Sequence, residues 1–239
     1  MRYIAIIFLF FTFCVVEITA QTNIDSLLLL VKTDKTDTDK IKNLNLLANE
    51  YRLNGMFDKA ISYSSNSITL AQSINYANGE ISACAVLGET YFDIGNYSEA
   101  LKKYDMALAV KQENNQTRFR AIVFNKIGVV YMTQGNFPLA LKNFYSSLKL
   151  YEAIHNKHGI AVCYGNIGNT YGQQENYKEA LKCFETILKI FKDLQQPKDV
   201  AYTYTNIGTI YFMQANYSEA LKNYEEALAL CIKQDRKST

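Results

Sequence analysis

The two histidines of this 239-residue chain are the residues whose type and spacing come closest to a chemical site. His155 and His158 stand in an H-x-x-H pattern, and imidazole nitrogens at such spacing can bind one metal ion. A catalytic zinc ion takes three protein ligands, however, and the sequence places no cysteine or acid to supply the third. We therefore interpret both histidines as part of a solvated turn, and we predict neither a metal nor a cofactor.

Other kinds of catalysis find no support in the sequence. The glycine-rich pattern G-x-G-x-x-G, which cradles phosphates, is absent, and so is the G-x-S-x-G pattern around a catalytic serine. Most acidic residues lie beside lysines on the outward faces of predicted helices, where both are solvated. We predict that the protein is not an enzyme.

Four of the five cysteines lie in the long helical part of the chain, and none stands in a C-x-x-C pair. Few of their pairings would bring two sulfur atoms to disulfide distance, since each falls within a predicted helix. We interpret them as buried thiols that pack as small apolar groups. They are Cys84, Cys163, Cys183 and Cys231.

The first twenty residues have the pattern of a secretory signal peptide. Arg2 precedes an almost wholly apolar run from Ile4 to Val16, which is too short to span a bilayer comfortably, and Ala20 offers a small residue for cleavage. Lipidation of Cys14 is disfavoured because Phe13 precedes it. We expect export to the periplasm, and the alternative is an uncleaved segment that anchors the chain in the inner membrane.

Composition favours an all-α protein without a nucleic-acid partner. The net charge is only +2 and neither sign forms long blocks, so an anionic polymer or an anionic membrane surface is a poor match. Two prolines and eighteen tyrosines favour long helices packed through aromatic rings. No membrane span is expected beyond the signal segment.

A strict period of forty residues begins at Ile41. Apolar, small and tyrosine positions recur at helical spacing, which predicts the buried face of a first helix, and an alanine nine residues after the tyrosine begins the stripe of a second helix. Glycine at Gly55, Gly95 and Gly135 predicts the turn between the two, and the asparagines that follow predict caps. The clearest columns are Tyr51, Tyr91, Tyr131, Tyr171 and Tyr211, then Ala60, Ala100, Ala140, Ala180 and Ala220, and the small residues Ala48, Gly88, Gly128, Gly168 and Gly208.

The segment from Gly88 to Leu101 and its four counterparts resemble the tetratricopeptide repeat family. The resemblance implies a right-handed α-solenoid of five helix-turn-helix units. The unit is longer than the family's usual one, and the proline that often closes it is missing from most rows. The predicted domains are a signal peptide at 1–20, a capping helix and polar linker at 21–40, and repeats at 41–80, 81–120, 121–160, 161–200 and 201–239.

The resemblance also implies a concave groove, lined by the first helix of each unit, that binds a protein or peptide partner. This groove is mostly uncharged and rich in amides, which suits an extended backbone or an amphipathic helix. The implied lining is Asn49, Arg52, Glu89, Phe92, Asn125, Val129, Met132, Asn169, Gln173, Asn206, Thr209, Phe212 and Met213.

Two narrower hypotheses concern single positions of this groove. A gap in the apolar column at Gly172 is either a pocket for a partner side chain or a glycine at a place where nothing packs. A grip on a carboxylate tail, which some members of the family form, is disfavoured because Lys126 and Asn206 are isolated, and Gly165 and Ile122 stand where that grip would need lysine.

The two ends of the array leave two expectations. The residues from Ile24 to Tyr51 resemble the extracytoplasmic repeat region of Bacteroidota sensor histidine kinases and related regulators, so the alternative function is the sensor portion of a truncated signalling protein. Thr239 falls one residue short of a complete fifth row, and no polar capping helix follows it. We therefore expect Tyr224, Ala227 and Cys231 to be partly open to a partner or to self-association.

Overall fold

The computed structural model describes residues 23–34, 36–110 and 116–238, and these residues form helices without any strand. The predicted signal peptide and Cys14 lie outside the described residues. The first helix, α1, spans 23–33. It is followed by α2 (Asp37–Leu53), α3 (Phe57–Ser73), α4 (Ala77–Asp93), α5 (Tyr97–Ala109), α6 (Thr117–Thr133), α7 (Phe137–Ala153), α8 (Lys157–Gln173), α9 (Tyr177–Asp193), α10 (Pro197–Met213) and α11 (Tyr217–Ser238).

The fold is all-α and of the α-solenoid class. The chain divides into two compact units, of which unit 1 ends at Val123 and unit 2 begins at Phe124. Within unit 1, α3 packs between α2 and α4, and within unit 2, α9 packs between α8 and α10. Over the described ranges no helix combines the length and the apolar content that crossing a membrane requires.

The helices from α2 onward begin every twenty residues, at half the period of the side-chain pattern. Most consist of seventeen residues followed by a three-residue turn, within a hairpin as well as between hairpins. α2 begins at Asp37, inside the predicted polar linker, because Thr36 caps it: the Asp39 amide donates to Thr36 Oγ1 at 3.2 Å. The aspartates in the first turn also favour a helix amino terminus.

The three-residue turns that the structure describes from α2 onward share one hydrogen-bond pattern. After α4, the Asn96 amide donates to the Tyr91 carbonyl at 2.8 Å and the Gly95 amide donates to the Phe92 carbonyl at 2.9 Å, which is a Schellman motif. The middle residue must adopt a left-handed conformation, and glycine does so at Gly55, Gly95 and Gly135 with φ between 71° and 84°. The sequence therefore predicts these three turns correctly.

The same conformation occurs at turns that lack glycine. The middle residues are Asn75, His155, Glu175, Gln195 and Ala215, with φ between 52° and 59°. A left-handed conformation costs a residue with a Cβ atom about 1–2 kcal/mol. Packing of the flanking helices therefore maintains the turn at these five positions.

We expect Ala215→Gly to stabilise the protein, because glycine removes the steric cost of φ 57° at this turn. The gain should be about 0.5–1 kcal/mol once the greater freedom of glycine in the unfolded chain is subtracted. Thermal unfolding followed by circular dichroism measures it as a higher midpoint. Gln214→Gly is the matched control, since Gln214 has φ −75° and should lose stability instead. A lower midpoint for Ala215→Gly would contradict the prediction.

Most of the predicted asparagine caps are present. Asn96 Oδ1 accepts from the Glu99 amide at 3.2 Å, and Asn136 Oδ1 accepts from the Leu139 amide at 3.3 Å. Asn176 occupies the same position without a side-chain bond to the helix. Glu99, three residues after Asn96, pairs with Lys102 one turn later.

The small-residue column brings the two helices of a hairpin into contact. A Cβ atom at Gly128 would lie 2.5 Å from Phe144 Cε1, and one at Gly88 would lie 2.6 Å from Tyr104 Cε1. The first hairpin changes both partners together, since Ala48 replaces the glycine and the buried Ser64 replaces the ring. The aromatic ring of this column on the second helix therefore requires a glycine opposite it on the first helix.

Candidate partner-binding faces

Three of the predicted groove residues in unit 1 form one ion-pair network between α2 and α4. Arg52 donates through Nη1 to Asp93 Oδ2 at 2.6 Å, and its Nη2 lies 3.2 Å from Glu89 Oε2. Its Nε and Nη2 also donate to Asn49 Oδ1 at 3.2 and 2.9 Å. The Arg52 side chain is only 15% exposed, so this network joins consecutive hairpins and gives the face one guanidinium between two carboxylates.

Asp93 is the member of this network that the sequence interpretation missed. Asp93 follows Arg52 in the sequence by one forty-residue period plus one residue, and Glu89 follows it by one period minus three residues. Residues at these offsets lie on facing sides of consecutive first helices. The opposite charges at these offsets were the signal that could have predicted the network.

Phe92 directly precedes Asp93 of this network, and its ring contacts the second helix of its own hairpin. Its ring centroid is 5.5 Å from that of Tyr97, with an angle of 47° between the rings. The side chain is half-buried. Phe92 therefore offers an edge rather than a whole ring to a partner.

In unit 2, Asn125 is buried, with 9% of its surface exposed. Asn166 Nδ2 donates to Asn125 Oδ1 at 3.0 Å, and Asn125 Nδ2 lies 3.9 Å from Cys163 Sγ. The Cys163 thiol donates in turn to Ser147 Oγ at 3.2 Å. Burial raises the pKa of the Cys163 thiol, and the hydrogen bonds with Ser147 and Asn125 oppose that rise. The Asn125 amide thus links α6 to α8.

The most open part of the predicted lining lies on α8 and α10. Asn169, Gln173 and Met213 are exposed, and the Phe212 ring is 57% exposed at 5.5 Å from the Tyr217 ring. Thr209 Oγ1 is exposed but donates to the Thr205 carbonyl at 2.9 Å.

Three side-chain amides on these two helices are unpaired. Among the described residues, Asn169, Gln173 and Asn206 make no side-chain hydrogen bond. Val129 and Met132, on α6, are half-buried. The unpaired amides therefore lie on α8 and α10, the helices that also carry the exposed Phe212 and Met213.

The pocket hypothesis at Gly172 is wrong. Gly172 is buried, and a Cβ atom there would lie 2.9 Å from Ile210 Cδ1. Ile210 belongs to α10 and fills the gap that the sequence column leaves. The glycine therefore admits a side chain of the protein itself, and the alternative of a place where nothing packs is wrong as well.

The two histidines have different surroundings. His155 is the middle residue of a turn, and His158 Nε2 lies 3.1 Å from Gln196 Nε2 with its ring 5.7 Å from that of Phe191. In the part of the chain that the structure describes, no three histidine, cysteine or acidic side chains come together as a metal site.

A cavity of about 370 Å³ opens at the junction of α9, α10 and α11. Its lining is mostly apolar and comes from three helices, so no sequence motif indicates it. None of the predicted groove residues contributes to it. The lining residues are Phe191, Lys192, Gln195, Gln196, Pro197, Val200 and Leu230.

Comparison with family models finds the same repeat in both units. Two models, each described as a tetratricopeptide repeat, match residues 83–117 and the overlapping ranges 119–193 and 173–233. Together the matches cover more than half of the chain. No curated protein matches the sequence.

Solved structures share the fold at low identity. BtubC (BKLC) from P. vanneervenii is 19% identical with a TM-score of 0.75, over 91% of this chain and 90% of that one. A Signal Transduction ATPase with Numerous Domains with a tetratricopeptide repeat sensor, from Pyrococcus horikoshii, is 17% identical with a TM-score of 0.66, over 87% and 36%. Aspartyl phosphate phosphatase F from Bacillus subtilis is 15% identical with a TM-score of 0.65, over 83% and 54%.

Proposed function

Because the chain belongs to the tetratricopeptide repeat family, whose fold is generally a non-catalytic protein-interaction scaffold, we propose that it binds a protein or peptide on the α8–α10 face of unit 2. That face consists of Asn169, Gln173, Asn206, Phe212 and Met213. The observation that carries the proposal is the presence of unpaired amides beside exposed apolar side chains on the first helices of consecutive hairpins.

The chemistry of the face indicates the kind of ligand. A side-chain amide has both a donor and an acceptor, so it can hydrogen-bond the backbone of an extended peptide whatever its sequence. Phe212 and Met213 supply apolar surface for one or two ligand side chains. The five residues are uncharged, and affinity should therefore change little with ionic strength.

We propose further that this binding takes place in the cell envelope. The support is the basic and apolar pattern of the first twenty residues. The alternative role is the sensor portion of a signalling protein of the kind found in Bacteroidota. Its support is the resemblance of residues 24–51, together with the fold shared with a tetratricopeptide repeat sensor.

Selection from a random peptide library on the immobilised chain, followed by calorimetry with the selected peptides, tests the binding face. In the triple variant Asn169→Ala, Gln173→Ala and Phe212→Ala, we expect the Kd to rise at least tenfold, which is about 1.4 kcal/mol. Met106→Ala is the matched control, because Met106 is also exposed but lies on the second helix α5. Equal affinity of the triple variant and the wild type would contradict the proposed face.

A further inference from the structure

The outer face of α11 carries a stripe of apolar side chains at alternating spacings of four and three residues, which places them on one side of the helix. Tyr217, Leu221 and Leu228 are 62%, 59% and 60% exposed, and Cys231 is exposed. Tyr224 is half-buried because one side of its ring packs on Gly208 of α10. These five residues are called the α11 stripe. Contiguous apolar surface of this kind usually marks an interaction site. The expectation that Ala227 is open is wrong, since it is buried.

The chain contains a covered copy of the same stripe. Forty residues earlier, α9 carries Tyr177, Leu181, Phe184, Leu188 and Phe191 in the same register. Phe184 is fully buried, and the other four are half-buried. α10 packs along α9, and the four half-buried residues pack against a buried cluster that includes two residues of α10. α8 covers the other side of this stripe, since it contributes Ala161 to the same cluster and places Gly168 against the Phe184 ring. α10 is therefore the helix whose counterpart on α11 is open to a partner.

The covering helix has a definite chemistry. α10 contributes Ile207 and Ile210 to the buried cluster, and Tyr211 packs against that cluster from the next position. Tyr204 lies one turn before Ile207 on α10, and its hydroxyl accepts a hydrogen bond from Lys192 Nζ on α9 at 3.1 Å. The face that α10 presents to α9 thus has two isoleucines at its centre and a tyrosine toward each end, Tyr204 and Tyr211. The Tyr204 hydroxyl forms a hydrogen bond with a lysine at the edge of this face.

We propose that the α11 stripe binds an amphipathic helix of another polypeptide, one that presents β-branched and aromatic residues at the spacing found in α10. The stripe repeats the tyrosine and the two leucines of the α9 surface, while Tyr224 and Cys231 replace Phe184 and Phe191 and Ile232 replaces the lysine at the rim. The new contact thus continues, with a more apolar rim, an interface present in the same unit. This surface meets the α8–α10 face of the proposed function where the rings of Tyr217 and Phe212 lie 5.5 Å apart, but the two share no residue. Variants of Leu221 and Leu228 therefore test the stripe, and variants of Asn169 and Gln173 test the face.

A synthetic peptide of residues 197–213, which is α10 itself, is the probe. Titration of the fluorescently labelled peptide with the full chain should give saturable binding by anisotropy. The double variant Leu221→Asp and Leu228→Asp should raise the Kd at least tenfold, because it places two carboxylates within the stripe. Both leucines are mostly exposed, so the variant should melt at the wild-type temperature. Leu46→Asp on α2, which is 54% exposed, should leave the affinity unchanged.

Further measurements decide the outcome. An unlabelled peptide that carries Ile207→Asp and Ile210→Asp should fail to compete, and Asn169→Ala with Gln173→Ala in the full chain should bind the labelled peptide normally. Absence of saturable binding to the wild type, or equal binding to the stripe variant, would overturn the proposal. Sedimentation that shows a dimer of the wild type, lost in the stripe variant and insensitive to the peptide, would also overturn it, because a second copy would then occupy the stripe.

Discussion

Replacing Gly128 with alanine is expected to destabilise unit 2 by about 1–3 kcal/mol, the usual cost of overpacking a core. In an exposed helix the same change would stabilise by about 1 kcal/mol. The sign reverses because the added Cβ atom would lie 2.5 Å from Phe144 Cε1 and 2.6 Å from Phe144 Cδ1. Phe144 is fully buried, so its ring has no free volume into which to move.

Urea unfolding followed by circular dichroism measures this change as a lower midpoint. Gly165→Ala is the control in the same unit, since the nearest atom to its added Cβ would be Ile187 Cδ1 at 3.8 Å, an ordinary contact. Gly165→Ala should raise the midpoint through helix propensity alone. Shifts in the same direction for both variants would contradict the proposed role of the ring.

The second large effect concerns the reactivity of the cysteines. Burial raises the pKa of the Cys84 thiol to about 12, and it raises that of Cys183 to about 11. At pH 8 a thiol of pKa 12 is ionised to about one part in ten thousand, against about a quarter for an ordinary thiol. The greater intrinsic nucleophilicity of a basic thiolate reduces this difference to about 40- to 100-fold, so Cys84 should alkylate at least about tenfold more slowly than the exposed Cys231.

Timed alkylation with iodoacetamide and peptide mapping by mass spectrometry follows each cysteine separately. In the folded protein Cys231 should be modified first, and Cys84 should become reactive only when denaturant unfolds unit 1. Cys231→Ser should remove the fast phase of alkylation, which is the modification of Cys231, and leave the slow modification of Cys84 unchanged. Comparable rates for Cys84 and Cys231 in the native protein would disprove the prediction.

The interpretation of the four cysteines as buried thiols is confirmed for three of them and is wrong for Cys231. Cys84, Cys163 and Cys183 are buried, as the helical pattern predicts, and Cys231 is exposed. Cys231 follows the same helical pattern as the others, but it belongs to the stripe of α11, which is mostly exposed. The pattern identifies the face of a helix and does not say whether another helix covers it.

The hairpins were predictable because their packing recurs in four of the five rows. A glycine at 88, 128, 168 or 208 always faces an aromatic residue sixteen positions later, and this recurrence is visible as two columns. The caps and the three glycine turns were predictable for the same reason. Local geometry that is repeated in three or four rows is strong evidence even in one sequence.

The candidate faces were less predictable because their contacts join residues of different rows. Arg52 was predicted only to line the groove, but it pairs with two carboxylates on the next first helix. Asn125 occupies a groove position, but the amide of Asn166 turns it inward. Gly172 depends on Ile210 in the row that follows. These contacts need the stacking of hairpins, which the columns of a repeat do not specify.

The twenty-residue backbone period has a consequence for how such a chain can change length. Because described turns within and between hairpins share one geometry, a deletion of twenty residues would join two helices through a turn of the same form. It would nevertheless place two helices with the same kind of face next to each other, and a ring would no longer meet its glycine. A deletion of forty residues preserves both the turn and the facing surfaces. Gain and loss of whole hairpins is therefore the change in length that this architecture tolerates, and half a hairpin is not.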